Sequence, residues 1–203
     1  MRNLILAIIS LLALSACSNN LIGASGSAGS HVLNNEQSYL QFISVKNSLI
    51  AETHRFHSLS GFVSEGERAQ VQVNLASVET GIPIRNERMR EHLFKIAQFA
   101  TANISVELSD HQTKALRVGQ QMIRDIGFTV DLHGKTQTLS SKVSITRHVE
   151  GGLVIQSISP AIVNTAGFDM TAGVDKLREL AGLAAISQAV PVSFSLQFDA
   201  ALN

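Results

Sequence analysis

The sequence predicts an all-β protein, an antiparallel β-barrel of about eight strands with one or two short helices. Three observations predict it. Apolar and polar residues alternate with period two through most of the chain beyond residue 37, as in strands with one dry and one wet face. Turn-forming stretches such as His133-Gly134-Lys135 and Glu150-Gly151-Gly152 separate successive strand patterns. About eight such segments are enough to close a barrel and remove its edges. Composition agrees with a globular chain of one domain or at most two: 203 residues, 45% hydrophobic and 16% charged. Acidic and basic residues balance at 16 each, with no basic stripe, which argues against nucleic acid as a partner.

The first element is an export signal over residues 1–16. Arg2 precedes an apolar run from Leu4 to Leu14 that is short for a bilayer span, and small residues follow it. The run ends Leu14-Ser15-Ala16-Cys17, which resembles the lipobox of bacterial lipoproteins. That resemblance implies cleavage before Cys17, acylation of its sulfur and anchoring in a membrane. Cys17 is also the only cysteine, so no intramolecular disulfide can form. Ser18 is not acidic, and by the same resemblance it implies the outer membrane, facing the periplasm, within the bacterial cell envelope. Residues 17–36, rich in Ser, Gly and Asn, read as a flexible tether.

The folded domain is expected over residues 37–203. Leu40 and Phe42 open the alternation. Val71, Val73 and Leu75 continue it, as do Ile104, Val106 and Leu108. Ile126, Phe128, Val130 and Leu132 form the next stripe, followed by Leu139, Val143 and Ile145. The clearest case is last: Val190, Val192, Phe194, Leu196 and Phe198 alternate with Pro191, Ser193, Ser195, Gln197 and Asp199. Two segments break the period. Residues 84–95 place Arg85, Arg88, Met89 and His92 at helical spacing, and residues 175–186 place Leu177, Leu180 and Ala184 on one stripe after Val174.

The dry parity is assigned Phe42, Phe56, Phe62, Val73, Phe128, Val130, Phe194 and Phe198. Such a stripe can be a packed core or the wall of a ligand channel, because an eight-stranded barrel can be filled or can hold one slim ligand. Ser44, Ser141 and Ser157 are small enough to leave room. Arg85, Arg88 and His92 share a helix face and could hold an anionic or carbonyl head group at a channel mouth, or could form a solvated face with Glu87 and Glu91. Lys46, Glu52, His54 and His57 do not converge as metal ligands. No nucleophile elbow, phosphate loop or carboxylate cluster proposes a reaction.

The ordered set of motifs resembles the YceI-like family of periplasmic polyisoprenoid-binding proteins. The resemblance runs over residues 38–200: SYLQFISVKN (38–47), HRFHSLSGFVSEG (54–66), VQVNLASVETGIPIRNERMREHLF (71–94), IGFTVDLHGKTQTLSSKVSITR (126–147), GFDM (167–170) and VPVSFSLQFDA (190–200). Where many members carry Arg-Asp-x-His-Leu, this chain reads Arg88-Met89-Arg90-Glu91-His92-Leu93. The resemblance implies an eight-stranded, lipocalin-like antiparallel barrel whose channel holds an isoprenoid chain such as a polyisoprenoid or a quinone. It implies non-enzymatic binding or transport, with no cofactor beyond that lipid. A structural or interaction lipoprotein with a filled barrel is the alternative. Oligomeric state is left open, a homodimer included.

Overall fold

The computed structural model describes residues 31–64, 68–107 and 112–201. The expected leader, Cys17, most of the tether and Leu108 lie outside these residues. The strands are largely halves of longer arms. β1 (His31–Leu33) and β2 (Tyr39–Lys46) are separated by a 3-10 turn at Asn35–Gln37. The Asn34 side chain caps that turn by accepting from the backbone N–H groups of Glu36 and Gln37. Only His57 and Ser58 separate β3 (Ile50–Phe56) from β4 (Leu59–Val63). β5 (Arg68–Asn74), β6 (Val78–Glu79) and β7 (Thr101–Glu107) follow. β8 (Gln121–Leu132) and β9 (Lys135–Arg147) form one long hairpin across the His133–Gly134 turn. β10 (Leu153–Ser157), β11 (Ala161–Asn164) and β12 (Ala189–Ala200) complete the sheet.

Eight strands close on themselves in the antiparallel order β1-β4-β5-β7-β8-β9-β10-β12, because β1 pairs with both β4 and β12. β12 is shared between two ends of the barrel. Its C-terminal half pairs with β1, and its N-terminal half pairs with β2 and β11. Beyond β2 the sheet continues through β3 to β6. At that second end the wall is completed by helices. α1 (Pro83–Arg88) runs directly into a π-helical turn at Met89–Leu93, and α3 (Thr171–Leu180) packs against that turn. A single turn, α2 (Gln112–Ala115), precedes β8. The deepest side chains are Ile145, Phe168 and Phe198.

Three expectations are corrected here. The tether does not extend to residue 36, because Val32 and Leu33 alternate like any strand and β1 is the element that closes the barrel. The first helix spans 83–93, not 84–95, and begins with Pro83 in its first turn, where a missing N–H is harmless. The second helix begins at Thr171 and ends at Leu180, not 175–186. Its end is a Schellman motif: Gly182 adopts φ +62, Gly182 N donates to Glu179 O, and Leu183 N donates to Arg178 O. The stripe that continued to Ala184 is therefore a loop. Gly173 sets the contact between the two helices, since a Cβ there would lie 2.7 Å from His92 O and 2.9 Å from Leu93 Cα.

Candidate functional site

Inward-facing strand residues and the inner faces of α1 and α3 enclose a cavity of about 490 Å3. That volume lies within the roughly 300–1,000 Å3 typical of ligand pockets. It argues against a side-chain-filled interior. Phe42, Phe56, Val73, Phe128, Val130, Phe194 and Phe198 all line it, as their parity predicts. The rings of Phe42 and Phe56 stand 5.5 Å apart, and Phe56 and Phe94 stand 5.7 Å apart, so one wall is a continuous aromatic surface.

Phe62 does not line the cavity. The break at His57–Ser58 advances the chain by one parity, so Leu59 and Val63 are buried while Phe62 pairs across the sheet with Val32 and Gln70, both exposed. Nor does His92 line it. In the π turn Phe94 N donates to Met89 O, which is i→i+5 winding. That winding advances the face by about one residue, so Met89 and Leu93 take the inward positions that straight α-helical spacing assigns to His92. The His92 ring instead lies 3.9 Å from the Glu91 carboxylate, on the outside. Of the three small serines, only Ser44 lines the cavity. Ser141 donates to Ser159 O, and the Ser157 hydroxyl bridges the backbone of Phe194, so both hold strands together.

The polar members of the wall are Ser44, Lys46, His54, Arg85, Arg88, Thr165 and Ser187, and every other lining residue is apolar. Two of them, Lys46 on β2 and Arg85 on α1, share one network through Glu52 on β3. Glu52 accepts from Lys46 Nζ at 2.7 Å and from Arg85 Nη1 at 2.7 Å. Arg85 Nη2 donates to Thr80 O at 2.6 Å, and Arg88 Nη1 donates to Leu180 O at 3.1 Å. The Lys46 hydrogen bond, with the Arg85 charge, holds the Glu52 carboxyl below the usual range. Ser44 Oγ and His54 Nε2 lie 2.7 Å apart. His54 is only 3% exposed. Its burial, reinforced by the Arg85 charge, lowers its pKa to about 4. The ring is therefore neutral at physiological pH.

Three buried atoms on this wall have no hydrogen-bond partner among the described residues: His54 Nδ1, Arg85 Nε and Thr165 Oγ1. Buried polar groups are ordinarily paired, so a lining with free donors and acceptors fits a polar group inside the cavity. The Ser44–His54 pair lacks the features of an activated nucleophile. The imidazole is a weak base at neutral pH, and no third group orients its Nδ1. Among the described residues no group of three His, Cys, Asp or Glu side chains could hold a metal ion. Ser44, His54 and Thr165 escaped the sequence reading of a head-group site. The available signal was the parity that His54 shares with Phe56 and Ser44 with Phe42.

The model of the YceI-like domain matches residues 31–198. The chain belongs to the YceI-like family. Its matched span begins at β1, the strand that closes this YceI-like barrel. A polyisoprenoid-binding domain from Saccharophagus degradans, described as implicated in plant cell wall breakdown, is 38% identical, with a TM-score of 0.81 over 85% of this chain and 99% of that one. BcnA of Burkholderia cenocepacia shares the fold at 12% identity, with a TM-score of 0.60 over 81% of this chain and 98% of its own. No curated protein matches the chain significantly. Against this YceI-like background the eight-stranded ring and the helices at one end are the family fold.

Proposed function

We propose that this protein binds an isoprenoid lipid, a polyisoprenoid or an isoprenoid quinone, inside its barrel, and that it acts as a carrier or buffer without catalysing a reaction. The observation that carries the reading is the cavity itself: about 490 Å3, walled mainly by Phe, Val, Leu and Ile, with most of its polar groups on β2, β3 and α1. An apolar interior of this kind suits a prenyl chain, at roughly 0.8 kcal/mol per buried CH2 before the chain's lost freedom is subtracted. Similarity to a polyisoprenoid-binding domain at 38% identity supports the ligand class. In this reading the tail lies among Phe42, Phe56, Val73, Phe128, Val130, Phe194 and Phe198, and a polar head meets His54 Nδ1, Arg85 and Arg88.

The test is mass spectrometry of lipid extracted from gently purified protein, followed by binding of prenyl chains of graded length to the lipid-free form. Affinity that rises with prenyl number supports the reading. Equal affinity for a short soluble analogue overturns it.

We further propose that the protein is a lipoprotein of the bacterial envelope, acylated at Cys17 and held on the outer membrane. The Leu14-Ser15-Ala16-Cys17 pattern and Ser18 support this. Two or more acyl chains give stable anchoring where one gives only marginal binding. Incorporation of labelled palmitate that persists in Cys17→Ser would refute it.

A further inference from the structure

The mouth of the cavity is bounded by three segments: the β2–β3 turn, the start of α1, and the loop from α3 to β12. Side-chain and backbone contacts stitch them into one ring. Asn47 Oδ1 accepts from Ala184 N and Ala185 N, and Lys46 bridges to Ile186. Glu52 joins Lys46 to Arg85, and Arg88 reaches Leu180 O. Exposed loops are ordinarily polar, yet none of residues 47–51, 81–84 or 180–186 is charged. Leu49 at the turn is 88% exposed and Ile84 at the start of α1 is 52% exposed, with Ile50 and Ile82 nearly as open. Ile82 and Ile84 also line the cavity, so the apolar interior continues outward to the surface at this ring. Just inside stand three cations, Lys46, Arg85 and Arg88, against one carboxylate, Glu52.

We propose that this ring docks on a lipid bilayer: Leu49, Ile50, Ile82 and Ile84 enter the interfacial region, and the cavity opens directly into the membrane. An apolar rim with cations behind it is complementary to an anionic bilayer surface, where acyl chains meet the apolar side chains and phosphates meet the bases. Continuity of the wall with the rim gives a prenyl chain a path in which it never crosses water. The tether permits this orientation. His31 lies beside Ala200 at the far end of the barrel from the ring, and the twelve residues of β12 span about 40 Å along the strand. The fourteen residue steps from Cys17 to His31 reach about 46–50 Å when extended. An anchored barrel can therefore turn its mouth to its own membrane. The inference rests on the lipid-binding reading for its purpose, but not for its test.

The chain has no tryptophan, so single indoles report position. Leu49→Trp and Ile84→Trp are placed on the ring, and Val149→Trp, 57% exposed beside the far-end turn, is the control. Each is made in the full chain carrying Cys17→Ser and mixed with vesicles of phosphatidylethanolamine and phosphatidylglycerol, some with brominated acyl chains. Ring indoles should shift to the blue and be quenched by bromine, while the control should stay water-like. Leu49→Glu with Ile84→Glu should weaken vesicle binding about tenfold or more. Unquenched ring indoles overturn the proposal, whether the leader alone holds the protein on the vesicle or the ring meets another protein. Equal quenching at Val149→Trp overturns it too. If docking fails while prenyl lipid still binds in solution, the function stands and this inference falls. If ring indoles enter the bilayer while the cavity binds no prenyl lipid, the reverse holds.

Discussion

His54 carries the sharpest consequence of a single side chain. Its ring is buried between Phe42 and Ser44, with 5.1 Å between the Phe42 and His54 centroids. In the unfolded chain it titrates near 6.5, and in the barrel near 4. Between those values the unfolded state binds the extra proton, so stability is full above pH 6.5 and falls as pH drops toward 4. The loss reaches about 3 kcal/mol. The lowered Glu52 carboxyl adds destabilisation in the same direction, in a window below its ordinary 4.5. Urea unfolding at a series of pH values should show this slope, and His54→Gln should flatten it between pH 6.5 and 4.5. An unchanged slope would assign the titration elsewhere. Arg85 makes a different prediction. Its Nη atoms are engaged by Glu52 and Thr80 O, while its Nε is free toward the cavity. Arg85→Ala should weaken binding of a carbonyl-headed prenyl quinone by about 1–2 kcal/mol, roughly tenfold, and leave a headless prenyl hydrocarbon unaffected. Isothermal titration with both ligands separates the outcomes.

At the scale of elements, the contact of α3 on the π turn decides whether the second end of the barrel holds its shape. Gly173 is buried against His92 O and Leu93 Cα with no room for a methyl group. Gly173→Ala would ordinarily favour a helix by about 1 kcal/mol. Here it should destabilise by about 1–3 kcal/mol through overpacking and pull Met89 and Leu93 off the cavity wall. A lowered thermal midpoint together with weakened ligand binding is the expected result, and a raised midpoint would show that the helices separate freely. This contact also marks what the sequence could and could not reveal. Strand parity exposed seven of eight predicted wall residues, because one-sided burial writes itself directly into alternation. Phe62 was misplaced because a two-residue break leaves no compositional trace yet flips the parity of the β4 side chains that follow it. His92 was misplaced because i→i+5 winding is invisible to a period of 3.6. The end of α3 was legible in Gly182 alone, and Ala184 and Ile186 prolonged an apolar stripe past it. Thr165 and His54 acquire their importance only from which atoms remain unpaired once the barrel is closed.

At the scale of the whole molecule, ligand and barrel should behave as one unit, since the cavity is lined from nearly every arm of the sheet. A prenyl lipid present at about a hundredfold its Kd should add about 2.7 kcal/mol to unfolding stability, and at one fixed lipid concentration the gain should grow with chain length, as Kd falls, until the cavity is full. Differential scanning calorimetry of lipid-free protein with a graded prenyl series checks this, and a gain that does not depend on length would mean binding outside the barrel. Far-UV circular dichroism should be dominated by strand in both states. The ring that makes this unity possible also has a consequence in time. Closure depends on β1 meeting β12, and the Asn34–Asp199 hydrogen bond at that seam joins residues 165 apart. Bringing the ends of such a loop together costs about 4–5 kcal/mol of chain entropy before any contact at the seam compensates it. No N-terminal fragment can complete the circle, however long it waits. A chain threaded through a membrane from its N-terminus would therefore stay open and pliable until its last strand emerged, and would close only on the far side.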